Sequence, residues 1–265
     1  MRIGILQGPE VADSPSANLE RLGRAISTAG QPRLMITPEM FMTGYNIGPA
    51  ATAAAAQAAD GEWSAAIAAL ARQSGSAILY GYPERGIDGK VYNSAQLIDR
   101  DGRRLANHRK AHLFGEIDRS AFAEGDGEAV VTELDGVKIG LLICYEVEFP
   151  ENVRLLALAG AEFVAVPTAL MQPYTFIARE MVRTRAYENQ VFLAYANRCG
   201  AEGDLTYLGQ SCIVAPDGSD LARATTNEDV IAANLDFAGM AGSRALNTYL
   251  HDRRPEVYRP LTHPH

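Results

Sequence analysis

Val137-Lys138-Ile139-Gly140-Leu141-Leu142-Ile143-Cys144 is an apolar run that leads, through a helical segment from Pro150 to Gly160, into a second apolar run from Phe163 to Val166. Both runs are typical of buried strands, and a proline in the first helical turn and a glycine after the last mark the ends of the helix. Strands that are joined by a helix pair in parallel. This segment therefore predicts part of a parallel sheet covered by helices.

The amino-terminal part of the chain repeats this order. Arg2 to Leu6 is predicted as a strand, a helix capped by Ser16 extends to Gly30, and a second apolar run covers Arg33 to Thr37. A turn within Val91 to Lys110 predicts a hairpin, so antiparallel pairs are expected as well. Because the chain has no linker, repeat or low-complexity segment, we expect one α/β domain with mixed sheets over residues 1–265.

Composition and charge argue against several classes of protein. The 265 residues are 47% hydrophobic, and the net charge of −8 comes from dispersed acidic residues without a basic segment, so nucleic acid is not an expected partner. The apolar stretch at the amino terminus is too short for a secretory signal, and no run approaches the length of a membrane span. We therefore expect a cytoplasmic protein without a membrane partner.

The cysteines and histidines lack the spacing of a disulfide framework or a metal site. Cys144, Cys199 and Cys212 are odd in number and widely separated, with no C-x-x-C pair. His108 and His112 are four residues apart, but no glutamate follows the first, as the metalloprotease signature requires. No metal or cofactor is expected, and one of the cysteines is a candidate nucleophile.

Three polar residues stand at the ends of predicted strands, where ligands collect in open α/β sheets. Glu39 follows the second strand, Lys110 ends the hairpin, and Cys144 ends the run that leads into a helix. A strand-to-helix turn exposes a nucleophile to free backbone N–H groups, although a lone cysteine there also fits a small buried apolar residue. Because cysteine nucleophiles usually take histidine as their base, His108 and His112 stay open as alternatives.

Three motifs indicate which family the chain resembles. They are Thr37-Pro38-Glu39-Met40-Phe41, His108-Arg109-Lys110-Ala111-His112-Leu113-Phe114-Gly115 and Ile143-Cys144-Tyr145-Glu146-Val147-Glu148-Phe149-Pro150-Glu151. With these motifs in this order, the chain resembles the nitrilase superfamily of carbon–nitrogen hydrolases over nearly its whole length. Shorter matches at 92–95, 185–189 and 195–198 support the resemblance.

The resemblance implies residue roles, a fold and an assembly. Glu39 is then the general base, Lys110 the cation that holds the oxyanion, and Cys144 the nucleophile that forms a thioester with a small amide, while the two histidines are structural. The implied fold is a four-layer α-β-β-α sandwich. The implied assembly is a homodimer or a higher homo-oligomer, with the tail 242–265 at a subunit interface.

One residue near Lys110 departs from the pattern of the superfamily. Its members often carry a second glutamate a few residues beyond the lysine, and the corresponding residue here is Asp118, whose side chain is shorter by one methylene. We expect Asp118 to act as the fourth acid of the site, with Glu116 as the alternative.

The residues after Cys144 bear on the substrate. Family enzymes that act on N-carbamoyl amino acids often have an arginine here that binds the substrate carboxylate, whereas this chain has Tyr145-Glu146-Val147-Glu148. A neutral or cationic small amide is therefore expected. A small nitrile is an alternative substrate, and a non-catalytic binding protein on the same fold is an alternative function. The candidate substrate-contacting residues are Tyr145, Glu146, Thr168, Ala169 and Tyr45.

Overall fold

The computed structural model describes residues 1–9 and 14–262 of the chain. Its strands are β1 (Arg2–Gln7), β2 (Leu34–Ile36), β3 (Ala77–Arg85), β4 (Val91–Ile98), β5 (Arg104–Arg109), β6 (Val131–Leu134), β7 (Val137–Leu141), β8 (Phe163–Pro167), β9 (Phe192–Ala196), β10 (Cys199–Glu202), β11 (Leu205–Leu208), β12 (Cys212–Val214), β13 (Asp220–Arg223) and β14 (Asp229–Asn234). Its α-helices are α1 (Pro15–Thr28), α2 (Pro49–Ala55), α3 (Glu62–Ser74), α4 (Gly115–Arg119), α5 (Pro150–Leu158), α6 (Val182–Asn189) and α7 (Met240–Leu246).

Most of the strands belong to two six-stranded sheets. The first has the order β14-β1-β2-β3-β4-β5 and the second the order β13-β12-β9-β8-β7-β6, while β10 and β11 form a separate pair. The central strands β1, β2 and β3 are parallel to one another, as are β7, β8 and β9. The outer strands of both sheets pair antiparallel. The predicted α/β class with mixed sheets is thus confirmed.

The two sheets pack against each other through their apolar faces. Ile3, Leu34 and Leu79 of the first sheet share one buried cluster with Ile139 and Phe163 of the second. Helices α1 and α3 cover the outer face of the first sheet, and α5 and α6 cover the outer face of the second, each pair over its own buried cluster. The order of the layers is α-β-β-α, as predicted.

Two details differ from what the sequence indicates. The cap of α1 is Ser14 rather than Ser16, because Pro15 occupies the first helical turn and the Ser14 hydroxyl accepts a hydrogen bond from the Ala17 N–H at 3.2 Å. The first sheet is completed by β14, which returns from the far end of the chain and pairs with β1, so that Arg2 stands opposite Asn234. No local pattern in either strand indicates that pairing.

The carboxyl-terminal segment consists of short helical pieces. Helix α7 is followed by 3₁₀ turns at Pro255–Val257 and Arg259–Thr262, and the last three residues of the predicted tail 242–265 lie outside the described residues. Leu246 and Tyr249 expose large apolar side chains in this segment. Among residues 1–9 and 14–262, no helix has the length and apolar character needed to cross a membrane.

Candidate active site

Lys110 follows directly after β5, and its ammonium lies between two buried carboxylates. The Nζ atom is 2.8 Å from Oε1 of Glu39 and 2.7 Å from Oδ2 of Asp118, and none of the three side chains is exposed to solvent. Burial alone would lower the pKa of Lys110, but the two facing carboxylates outweigh it and raise that pKa well above its ordinary value. Lys110 is therefore a permanent cation within this cluster.

Glu39 projects from the turn that follows β2. Gly81 of β3 permits this turn to approach, because a Cβ atom there would lie 2.6 Å from the Met40 nitrogen. Asn93 donates a hydrogen bond from Nδ2 to Oε1 of Glu39 at 2.6 Å, and Arg198 donates from Nη1 to the Glu39 carbonyl at 3.0 Å. Oε2 of Glu39 is buried and has no hydrogen-bond partner among the described residues, so one oxygen of this carboxylate is available to accept a proton.

Asp118 lies on α4 and is held from three sides. Its Oδ2 atom accepts hydrogen bonds from Lys110 and from the Phe114 N–H at 2.9 Å, and its Oδ1 atom accepts one from the Tyr45 hydroxyl at 2.9 Å. Glu116, on the same short helix, is exposed. The structure thus places Asp118, and not Glu116, against Lys110.

Cys144 is the first residue of a 3₁₀ turn, Cys144–Glu148, that follows β7. Its backbone φ of 48° lies in the left-handed region, which is unfavourable for a residue with a side chain and is typical of a strained turn that presents a nucleophile. The side chain is 8% exposed and belongs to the cluster between the two sheets. It lies near the ends of both sheets, where the charges of Glu39, Lys110 and Asp118 act on it.

The protonation of the thiol and of the carboxylate is set mainly by burial. Burial and the negative charge of Glu39 raise the pKa of the Cys144 thiol well above its ordinary value, against the opposing effect of Lys110. Burial likewise raises the pKa of Glu39, although Lys110 opposes this. A neutral thiol therefore stands beside a carboxylate whose pKa is higher than usual, an arrangement that favours proton transfer between them during attack.

The other predicted contact residues lie around this cluster. The ring centroid of Tyr45 is 6.0 Å from Nζ of Lys110, and the half-buried Tyr145 ring packs edge-on against Phe114. The carbonyl of Thr168 accepts the Glu39 N–H at 3.3 Å, and the Ala169 N–H lowers the pKa of the Cys144 thiol. Four of the five residues therefore border the site.

Glu146 is the fifth, and its side chain is engaged elsewhere. Its Oε2 atom is 2.7 Å from Nε2 of His108 and accepts the Ile143 N–H at 2.7 Å, while its Oε1 atom accepts the Ala111 N–H at 2.8 Å. The expectation that this carboxylate contacts substrate is not supported by its position, because both of its oxygens are already bound by protein groups. The same contact occupies His108, one of the two alternative bases.

His112, the other alternative base, is also engaged by neighbouring side chains. Its ring packs against Phe149 with centroids 4.4 Å apart, and its Nδ1 atom is 3.4 Å from Nδ2 of Asn152. Among the described residues, neither histidine forms a hydrogen bond with Cys144. The geometry accordingly favours Glu39 as the base.

Three residues of the site have no role predicted from the sequence. Asn93 and Arg198 bind Glu39, and Glu202 accepts the backbone N–H groups of Tyr45 and Asn46 at distances from 3.0 to 3.2 Å. Asn93 and Arg198 lie within short matches to the superfamily, and their polar side chains in or beside apolar strands were the available signal. The contacts of Glu202 with Tyr45 and Asn46 have no local signal, because these two residues are 157 and 156 positions away along the chain.

Comparison with known proteins gives consistent results. The family model described as carbon-nitrogen hydrolase matches residues 2–245. The chain is 52% identical over 262 residues to a Pseudomonas protegens protein described as a hydrolase in the pqqF 5′ region, covering 99% of this chain and 92% of that protein. It is 36% identical over 256 residues to an (R)-stereoselective amidase of a Pseudomonas species, covering 96% of this chain and 92% of that protein.

A solved structure gives the same result for the fold. A mutant of the Nesterenkonia AN1 amidase from the nitrilase superfamily superposes with a TM-score of 0.86 at 33% identity, covering 98% of this chain and 97% of that chain. Another mutant of that amidase is described as showing covalent addition of the acetamide moiety of fluoroacetamide at its active site cysteine, and it superposes with a TM-score of 0.83 at 32% identity, covering 98% of this chain and 96% of that chain.

Proposed function

The chain belongs to the carbon–nitrogen hydrolase family, and on that basis we propose that it hydrolyses a small neutral or cationic amide through a thioester on Cys144. The observation that carries the proposal is the buried Lys110 ammonium, bound to Glu39 and Asp118 beside a cysteine in a strained turn. The covalent adduct on the active site cysteine of the Nesterenkonia amidase supports a nucleophilic cysteine. The overall reaction converts an amide and water to a carboxylic acid and ammonia.

In the first half of the proposed reaction, the thiol proton of Cys144 passes to Glu39. The sulfur then forms a bond to the amide carbon, and the negative charge that develops on the carbonyl oxygen is stabilised by Lys110 and by the Tyr145 backbone N–H. When the tetrahedral intermediate collapses, its C–N bond breaks and the leaving nitrogen takes the proton from Glu39. Ammonia and a thioester result.

In the second half, the same carboxylate activates water. Glu39 accepts a proton from the water, whose oxygen forms a bond to the thioester carbon, and Lys110 again stabilises the oxyanion. The C–S bond then breaks, the sulfur of Cys144 regains the proton, and the carboxylic acid leaves. Asp118 acts as the fourth acid, because its charge keeps Lys110 protonated and in place through both halves.

The proposed preference for neutral or cationic amides is supported by a cavity next to the site. The cavity has a volume of about 540 Å³ and is lined in part by Tyr45 and Phe114, both of which bind Asp118. Glu116 and Asp204 also line it, and none of the described lining residues is a lysine, arginine or histidine. A substrate with a free carboxylate would meet negative charge here without a cationic partner.

The thioester is tested by intact-mass measurement. Wild-type protein quenched with acid during turnover of butyramide should carry an acyl adduct on Cys144, whereas Cys144→Ala should show neither adduct nor ammonia release. Glu39→Gln should form no adduct, because Glu39 takes the thiol proton before attack. Absence of any adduct in the wild-type protein, together with ammonia release by Cys144→Ala, would rule out the thioester. Activity that survives Glu39→Gln but is lost in a variant of His108 or His112 would instead identify a histidine as the base.

The charge preference is tested with amides of nearly equal size. Butyramide is neutral, β-alaninamide has an ammonium in place of the terminal methyl group, and succinamate carries a carboxylate. We expect kcat/KM for succinamate to be the lowest of the three by at least about tenfold, which corresponds to 1.4 kcal/mol. Equal values for all three amides would contradict the preference without affecting the thioester.

Two alternatives are separated by the same assays. A nitrilase would release ammonia from butyronitrile faster than from butyramide, and a non-catalytic binding protein would release none from any compound above the level of Cys144→Ala. The similarity to the (R)-stereoselective amidase of a Pseudomonas species and to the Nesterenkonia AN1 amidase favours the amide.

We also propose that the chain forms a homodimer. Leu155 and Leu158 on α5 are 52% and 48% exposed, and Tyr187 on α6 packs edge-on against Tyr249 of the carboxyl-terminal segment with ring centroids 6.0 Å apart. Exposed apolar side chains grouped on neighbouring elements are typical of an interface between subunits. Light scattering should give twice the monomer mass, and Leu155→Glu should reduce that mass if this face forms the interface.

A further inference from the structure

The buried carboxylate of Glu146 joins the two segments that carry Lys110 and Cys144. Its Oε1 atom accepts the N–H of Ala111, the residue after Lys110, at 2.8 Å. Its Oε2 atom accepts the N–H of Ile143, the residue before Cys144, at 2.7 Å. One side chain is thus bound to the backbone immediately next to both groups.

These two segments belong to different sheets. Lys110 follows β5 of the first sheet, and Cys144 follows β7 of the second, while the contact between the sheets is an apolar cluster. Apolar packing has no preferred direction, whereas a hydrogen bond restricts both distance and angle. The two hydrogen bonds of Glu146 therefore supply a directional link between the sheets at the site.

The Glu146 carboxylate is itself held in place. It is 1% exposed, and His108 lies 2.7 Å from its Oε2 atom. Burial alone would raise the pKa of Glu146, but His108 and the two backbone N–H groups outweigh it and hold that pKa below its ordinary value. The ionised form persists, and hydrogen bonds to an ionised acceptor are shorter and stronger than neutral ones.

The contact with Ile143 also bears on the strained turn. Cys144 has a φ of 48°, a conformation that costs free energy for any residue except glycine. The bond from the Ile143 N–H to the Glu146 side chain closes this turn directly before the cysteine. It thereby stabilises the conformation in which the thiol is presented.

We propose that Glu146 is a positioning residue that sets the distance and orientation of the Cys144 thiol relative to the Lys110 ammonium. The inference rests on the proposed roles of those two residues and adds that their relative position depends on the Glu146 carboxylate. Because Lys110 binds the oxyanion only once it has formed, displacement of either group weakens the transition state more than it weakens binding of the substrate. The loss should therefore fall on kcat.

The test is Glu146→Gln, which keeps the size of the side chain. Its single amide oxygen can accept only one of the two backbone N–H groups, and its NH₂ group faces the other. We expect kcat for a neutral amide such as butyramide to fall by about tenfold to a hundredfold with KM changed less than twofold, at a temperature where circular dichroism shows the variant folded. Alkylation of Cys144 by iodoacetamide should slow as well.

Glu162→Gln is the matched control. The Glu162 carboxylate also accepts a backbone N–H, that of Lys138 at 3.2 Å, but at the opposite end of β7 from Cys144. It should leave kcat and the alkylation rate unchanged. If Glu146→Gln has the kcat and the alkylation rate of this control and differs only in stability, Glu146 has no positioning role.

Two further measurements keep the proposal open to refutation. If Glu146→Gln does not fold, Glu146→Asp is judged by the same criteria, since its shorter side chain cannot span both N–H groups. If the wild-type protein has no amidase activity, the proposed function fails, but the alkylation rates still test the positioning role. In that case, equal rates in wild type and variant would overturn it.

Discussion

The ammonium of Lys110 lies 2.7 Å from the carboxylate of Asp118, and neither side chain is exposed to solvent. With Glu39 on the other side, one cation faces two carboxylates in a buried cluster. Such a cluster is costly to desolvate and is retained only where its members satisfy one another. The two carboxylates outweigh burial and raise the pKa of Lys110, whereas burial, helped by the Asp118 charge and opposed by Lys110, raises the pKa of Glu39.

Asp118→Asn should reduce both turnover and stability. The variant leaves Lys110 with only one carboxylate, and we expect kcat to fall at least about tenfold and the free energy of unfolding to fall by about 1–3 kcal/mol. Steady-state ammonia release and urea unfolding measure the two effects. Asp101→Asn, the same change at an exposed residue in the turn between β4 and β5, should alter neither. Unchanged turnover and unchanged thioester formation in Asp118→Asn would show that Asp118 is not a fourth acid.

Tyr45→Phe removes the hydroxyl that binds Oδ1 of Asp118 at 2.9 Å. The buried carboxylate then lacks one partner, so we expect a loss of about 1–3 kcal/mol in stability together with a severalfold lower kcat. Tyr82→Phe is the control, because it removes a hydroxyl that binds Asn107 at the same distance of 2.9 Å outside the site. The control should lose stability and keep its kcat. If both variants have the same kcat, the Tyr45 hydroxyl has no role in the reaction.

Gly44→Ala should displace the loop that carries Tyr45. Gly44 has a φ of 98°, and a Cβ atom there would lie 2.4 Å from Oε1 of Glu202, which binds the Tyr45 N–H. Gly48→Ala has the same kind of backbone cost, with a φ of 82°, but meets nothing within 4 Å. We expect Gly48→Ala to lose about 1–2 kcal/mol and Gly44→Ala to lose more and also to lower kcat. If thermal unfolding shows the same loss of stability in both variants, the Glu202 side chain moves away from the added Cβ atom without cost.

Glu148→Gln should stabilise the protein relative to wild type, and this stabilisation should be larger at neutral pH than at acid pH. Burial raises the pKa of the half-buried Glu148 from its ordinary 4.5 to about 7, against the opposing charges of Lys110 and Arg185. The folded state then holds this proton more tightly than the unfolded state, so the free energy of unfolding falls as pH rises from 4.5 through about 7. Glutamine does not ionise, so the variant does not lose this free energy of unfolding as pH rises.

Because the Glu148 side chain is partly exposed to solvent, its effect on stability is small. After allowance for solvent screening, we expect the advantage of Glu148→Gln to grow by about 1 kcal/mol, or roughly 2–4 °C in Tm, between the two ends of this range. Melting temperatures at pH 5 and pH 8 measure it. Glu133→Gln, an exposed change on β6, controls for the loss of one negative charge. A difference that does not vary with pH would refute the assignment.

Local sequence patterns were sufficient for the strand, helix and strand units and for their order. The apolar runs at 137–143 and 163–166 predicted β7 and β8, and the parallel pairing of these strands is confirmed. Glu39, Lys110 and Cys144 were predicted as candidates from their positions at the ends of strands, and their roles from the resemblance of the motifs that contain them. These features depend on neighbours in the chain, and the chain itself carries that information.

The orientation of individual side chains could not be predicted from local sequence patterns. Asp118 and Glu116 share a five-residue helix, and which of them meets Lys110 depends on how that helix packs against β5 and the Tyr45 loop. Glu146 follows Cys144 by two residues, yet its carboxylate turns toward His108 and Ala111 rather than toward the substrate side. Neither outcome follows from spacing alone.

The chain's local chemistry therefore specified the α/β class, the strand ends and the three groups expected to carry the reaction, because periodicity and motif are properties of nearby residues. Folding settled the rest, including the return of β14 to β1, the choice of Asp118 over Glu116 and the link that Glu146 forms between the sheets. These depend on contacts between groups that are far apart in the chain or on the direction of one side chain. Such contacts are selected by burial and hydrogen bonding in three dimensions.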